Sequence, residues 1–181
     1  ASADEGYAVQ ASEIMPYIRE IEQSLNPRVK DRRVLNDLAL AYSCLGNLEH
    51  SLRFLRRIRK FAPEDLETQF RWIWYRRFAK RRGDQIRLKR ELENLVKANP
   101  TYAMGRAFMA VWHSFDLLEA DDPYDALRIT NHCLQELEAA DRYVSEDLHD
   151  WTLIHYIKGN LYGWLHVSPE NLEKGVAAFE C

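Results

Sequence analysis

Scarcities narrow this sequence first. Glycine supplies only 7 of 181 residues, and no stretch alternates β-branched with polar residues. Strands joined by tight glycine turns are therefore not expected. Cysteine is limited to Cys44, Cys133 and Cys181. Three widely spaced thiols argue against a disulfide framework and favour a reducing compartment. No run approaches the roughly 18 uncharged apolar residues that a membrane-crossing helix needs. The opening "ASADEGYAVQ" has neither a basic nor an apolar leader region, so no signal peptide is expected. The expected location is the cytoplasm; the nucleus goes with the RNA reading below, and export with a leader already removed.

Catalytic signatures are missing too. The chain has no HExxH, no paired CxxC, no GxSxG, no phosphate-binding glycine loop and no dinucleotide fingerprint. Its six histidines are His50, His113, His132, His149, His155 and His166, and no two stand four apart as a helical metal site requires. His132 and Cys133 are adjacent, which on a helix points them about 100° apart. No metal, no cofactor and no enzymatic activity are expected.

What remains is ample for a core. Hydrophobic residues make up 46% and charged residues 29%, as in a soluble globular chain of one domain or one compact array. The net charge of −3 hides a polarity. Residues 53–90 hold 14 Lys and Arg against 4 Asp and Glu. Of the chain's 25 basic and 28 acidic residues, that leaves 11 and 24 elsewhere. Such a basic segment attracts an anionic partner or pairs with the protein's own acidic part.

Apolar residues recur at spacings of three and four nearly throughout, which is the helix period. Short turn signals punctuate them: "LNPR" at 25–28, "LGN" at 45–47, "APED" at 62–65, "RGD" at 82–84, "ANP" at 98–100, "DDP" at 121–123 and "VSP" at 167–169. The turns repeat. Gly46 precedes Pro63 by 17 residues, Gly83 precedes Pro100 by 17, and the two pairs are offset by 37. A fixed period in the thirties marks stacked helical hairpins, because a single hairpin cannot bury its apolar face alone.

The segment "VLNDLALAYSCLGNLEHSLRFLRRIRKFAPED" resembles a tetratricopeptide repeat. Leu35, Leu38, Ala39, Tyr42, Ser51, Leu55 and Pro63 stand at the spacing of that motif. Small Ala39 and Ser51 would let two helices approach closely. The next unit, with Trp72, Tyr75, Ala79, Leu92 and Pro100, fits less well. It is also similar to the half-a-TPR (HAT) variant through Trp72, Tyr75, Phe78 and Gly83. The resemblance implies an all-α, right-handed solenoid of antiparallel hairpins at 32–65, 66–100, 101–140 and 147–181. A linker at 139–146 would lengthen the third, and Gly163 would mark a close contact in the fourth. A capping helix is expected at 12–25, within an N-terminal segment of residues 1–31, with Pro16 in its first turn. The array reads as part of a longer one.

The stretch "RWIWYRRFAKRRGD" (71–84) interleaves aromatic and basic residues. On a helix, Trp72, Tyr75 and Ala79 share one side, and Arg76, Lys80, Ile73 and Arg77 lie opposite. The resemblance implies that first helices line a concave groove. In that mapping the groove residues are Phe70, Ile73, Trp74, Arg77, Lys80 and Arg81, with Asn36, Leu40 and Phe115 from neighbouring units. Such a groove suits an acidic peptide or helix with apolar anchors, so a protein–protein interaction scaffold is the first expectation. The carboxylate clamp of heat-shock co-chaperones is absent: Asn36, Leu40, Trp74, Phe108 and Trp112 occupy its positions. The second expectation is an RNA-associated HAT-like module using Arg53, Arg57, Arg87 and Arg90 as a phosphate-following band. The third is self-association.

Overall fold

The computed structural model describes residues 11–25, 30–78, 82–144 and 148–165, together with Lys174, Ala177 and Ala178. Among the described residues there are eight α-helices and no strand. They are α1 (Ala11–Ser24), α2 (Arg32–Cys44), α3 (Leu48–Arg59), α4 (Leu66–Phe78), α5 (Arg82–Ala98), α6 (Ala103–Asp116), α7 (Pro123–Tyr143) and α8 (Leu148–Trp164). A 3-10 turn, Leu117–Glu119, separates α6 from α7. The chain is an all-α helical-repeat protein. It divides into two compact units, Ala1–Leu88 and Lys89–Cys181.

In the first unit, local chemistry sets the starts of α2 and α3. Asp31 accepts the Val34 N–H at 3.2 Å, and Asn47 accepts that of His50 at 3.2 Å. Both satisfy donors that a helix start leaves orphaned. Between α2 and α3 the chain reverses through Gly46, whose φ of +72° suits glycine. The hairpin then closes on its smallest residues. Ala39 and Ser51 are fully buried, and the Ser51 hydroxyl donates to the Ala39 carbonyl at 2.6 Å. Leu35, Leu38 and Tyr42 of α2 and Leu52, Phe54, Leu55 and Ile58 of α3 pack around that contact, joined by Ile18 and Tyr75.

α1 covers this core with Ile14, Met15 and Ile18. Glu22 fixes it by accepting both the Tyr42 hydroxyl at 2.6 Å and the Arg53 guanidinium at 2.6 Å. Burial, together with the Glu22 carboxylate, pushes the Tyr42 pKa up to about 12. Pro16 lies inside α1 rather than in its first turn, because the helix already runs from Ala11. Lacking an N–H, it leaves the carbonyl of residue 12 without its helical partner.

The "RGD" turn signal does not mark a turn: α5 runs from Arg82, so Gly83 is helical, and residues 79–81 lie outside the described residues.

In the second unit α6 and α7 form a hairpin, and α8 packs on both. α6 is buried on nearly all sides through Ala103, Met104, Gly105, Ala107, Met109, Ala110 and Trp112. A Cβ at Gly105 would meet the Tyr102 ring at 2.7 Å and Val96 at 3.1 Å. α7 contributes Cys133, Leu137 and Ala140, and α8 contributes Ile154, Ile157 and Leu161. Arg106 to Glu136 at 2.8 Å ties α6 to α7, and Lys158 to Asp141 at 2.7 Å ties α8 to α7. The linker expected at 139–146 is helix as far as Tyr143. Gly163 has open space around its Cβ position among the described residues. The second helix of the expected fourth hairpin lies outside the described residues apart from Lys174, Ala177 and Ala178.

Candidate partner-binding surface

α4 begins at a polar knot. Asp65 caps it by accepting the Thr68 N–H at 3.0 Å, and it also accepts the Thr68 hydroxyl at 2.5 Å. Arg32 approaches the same carboxylate at 2.9 Å. Asn36, only 2% exposed, directs its amide at Thr68 Oγ1 (3.3 Å) and at Asp65 (3.5 Å). Buried Arg71 donates to the Asn36 carbonyl at 2.7 Å and pairs with Glu67 at 2.5 Å. Asn36, read from the sequence as a groove residue, therefore joins α2 to α4 and offers almost no surface. The i,i+4 spacing of Glu67 and Arg71 was a visible hint of this pair.

Further along α4, Phe70 and Ile73 are each 6% exposed. Tyr75, on the opposite side, is buried as well. So α4 is covered on two sides, not one, and the expected basic side is narrower than the wheel suggests. Leu40 is half-buried. The surface α4 presents is built from its last turn. Phe70 stacks with Trp74 (centroids 6.4 Å apart, planes 21°), and Trp74 meets Phe78 edge-on at 5.9 Å. The Arg77 guanidinium lies 4.9 Å from the Trp74 ring and 5.6 Å from Phe78. Burial lowers the Arg77 pKa from its ordinary value, while Phe78 is 61% exposed. Lys80 and Arg81 are outside the described residues. Phe115, 42% exposed, belongs to the second unit.

The candidate band is partly engaged within the protein. Arg53 pairs with Glu22 at 2.6 Å, and Arg87 pairs with Asp84 at 3.3 Å. Arg57 is half-buried, and exposed Arg90 belongs to the second unit. Other basic residues converge instead. Arg56, Arg59 and Arg76 place their guanidinium groups 5.6, 4.6 and 5.3 Å from the centre of one ring, Trp72. Trp72 itself is half-buried against the first unit's core.

In the second unit an open cleft of about 840 Å³ is lined by Lys89, His113, Asp116, His132 and Arg128, among others. The His113 and His132 rings pack edge to face, 4.3 Å between centroids. His113 Nδ1 stands 3.4 Å from Asp116, and Lys89 pairs with the same carboxylate. Burial first, then the charges of Lys89 and His132, lower the His113 pKa to about 4 against the pull of Asp116. His113 is thus neutral near pH 7. Cys133, behind the cleft, is fully buried, and burial raises its thiol to about 12. The two histidines stand nineteen positions apart, and no spacing rule would have paired them. Among the described residues no group of three or more His, Cys, Asp or Glu is placed to hold a metal ion. Among the same residues no helix is long and apolar enough to cross a membrane.

The fold is that of a tetratricopeptide-repeat protein. A thermophilic TPR protein of Thermus thermophilus matches with a TM-score of 0.61, over 82% of this chain and 74% of its own, at 18% identity. At that identity the likeness is one of fold. No family model matches the chain, and no curated protein sequence does.

Proposed function

We propose that this protein is a non-catalytic scaffold that holds a partner protein, and that it takes an acidic segment with apolar anchors on the last turn of α4. Helical-repeat folds of this kind generally serve protein–protein interaction. The observation that supports the finer reading is the Arg77 guanidinium beside two aromatic rings, one of them largely exposed. A cation partly withdrawn from water gains more from a carboxylate than a fully solvated one. The neighbouring rings provide contact area at low entropic cost. Lys80 and Arg81 follow in sequence and add to the attraction.

The test is fluorescence anisotropy with a labelled peptide of alternating Asp and Leu. At about 50 mM salt we expect saturable binding, and the triple charge reversal Arg77→Glu/Lys80→Glu/Arg81→Glu should weaken it at least roughly tenfold, about 1.4 kcal/mol or more. Circular dichroism should show the fold unchanged. Undiminished affinity in the folded variant removes the groove assignment. Labelled single-stranded RNA is the contrasting probe: binding that persists at physiological salt, and is lost on replacing Arg53, Arg57, Arg87 and Arg90, would favour the RNA-associated reading instead.

A further inference from the structure

Two exposed surfaces of this chain complement each other. The first is the arginine–tryptophan patch of α3 and α4. Three guanidinium groups share one ring, so no two of them can lie farther apart than the sum of two distances of 4.6 to 5.6 Å. Like charges held this close repel one another, and the indole offsets only part of that. Arg56 and Arg59 are exposed. Their guanidinium groups can bind carboxylates two bonds at a time.

The second surface is the turn end of the α6–α7 hairpin. Four large apolar side chains are exposed within thirteen residues: Phe115 (42%), Leu118 (73%), Tyr124 (85%) and Leu127 (48%). Asp121 and Asp122 stand exposed among them. Asp122 also caps α7 through the Asp125 N–H at 2.8 Å. Large apolar side chains exposed this densely along one turn region are uncommon on a monomer, and Asp121 and Asp122 among them carry the charge opposite to that of the arginine patch.

We propose that this acidic apolar corner docks on the Arg56/Arg59/Arg76–Trp72 patch of a second copy of the chain. Carboxylates such as Asp121 face the guanidinium groups, and Leu118 and Tyr124 cover the exposed part of the aromatic surface. The two patches differ, so the contact is head-to-tail and each copy keeps one patch open to the next. Arg76 lies in the last turn of α4 beside Arg77, but Arg56 and Arg59 lie on α3 and Leu118 and Asp121 at the α6–α7 turn, so this contact and partner binding can be separated by variants at those four positions.

Sedimentation velocity on the full chain tests the proposal. At about 50 mM salt the mean mass should rise above the 21.3 kDa monomer as concentration increases. The expected dissociation constant is on the order of 10–100 µM, weak because one hairpin end is smaller than a standard interface of about 1,600 Å². At about 500 mM salt, where charges are screened beyond roughly 4 Å, the protein should return to monomer. Arg56→Glu/Arg59→Glu and Leu118→Lys/Asp121→Lys should each abolish association. Mixed in equal amounts they should form a complex of twice the monomer mass, because one intact contact is rebuilt. The changed residues are exposed, and circular dichroism checks folding. The wild-type salt series tests the idea even without the variants. A chain that stays monomeric at low salt up to about 500 µM, well above the dissociation constant expected for a contact of this size, overturns the proposal, as does association indifferent to salt or to both double variants. A mixture that fails to rebuild the contact does so too.

Discussion

Lowering the pH from 6.5 to 4 should remove about 3 kcal/mol of stability through His113 alone. The unfolded chain takes up a proton on this ring as the pH falls through its ordinary value near 6.5. The folded chain refuses it until about pH 4. Unfolding therefore binds a proton in that window, and stability rises with pH across it. The contribution is complete above pH 6.5 and gone below pH 4. The causes are local. The ring is only 15% exposed, Lys89 and His132 face it, and the single Asp116 carboxylate already serves Lys89. Urea unfolding of the wild type and of His113→Gln at four pH values from neutral down to about 4 gives the comparison. Carboxylates that titrate in both proteins cancel in the difference. Wild-type stability should fall relative to the variant as pH drops, and parallel curves would contradict the assignment. NMR of the ring carbons should show His113 still neutral at about pH 5, midway between its folded and ordinary values.

Asp65→Ala should cost about 2–3 kcal/mol, the sum of a lost cap and two buried polar groups that each lose a hydrogen-bond partner. The N-cap to Thr68 accounts for about 1 of that. The fully buried Thr68 hydroxyl loses its shorter acceptor and keeps only Asn36 Oδ1 at 3.4 Å, and the buried Asn36 amide loses one of two partners. Under-satisfied buried polar groups of that kind cost about 1–2 kcal/mol together, toward the low end of the penalty for fully unsatisfied ones. The ion pair to Arg32 adds little, because the Arg32 side chain is 60% exposed. Asp65→Asn keeps a capping oxygen and should lose only about 1 kcal/mol. The urea midpoints of the two variants measure the contrast. Equal losses would mean that the knot between α2 and α4 contributes nothing beyond charge.

The first hairpin was the most legible part of the sequence. Ala39 and Ser51 announced a close contact as the small residues of the tetratricopeptide resemblance, and Leu35, Leu38, Leu55 and Ile58 announced the core by period. Those are local properties, and local sequence carries them. Asn36, Phe70 and Ile73 were harder. The tetratricopeptide resemblance gave them groove positions, but burial depends on what neighbouring helices bring, and one sequence does not encode that in its spacing. Gly83 and Ala139 failed for a related reason. Glycine tolerates a helix's first turn as readily as a loop, and helix boundaries shift by a turn at little energetic cost. The His113–His132 pair exists only through the packing of α6 on α7.

Cys133 gives the second unit an internal timer. A thiol that is fully enclosed and pushed to about 12 presents almost no thiolate to an alkylating reagent. It reacts only during moments when its surroundings come apart, so its modification rate counts those moments. Cys44, at the exposed end of α2, reacts without waiting. Mass spectrometry of chains sampled over hours of labelling would thus separate a fast thiol in the first unit from a slow one in the second. The slow rate reports how often the second unit breathes, under conditions where the protein as a whole stays folded.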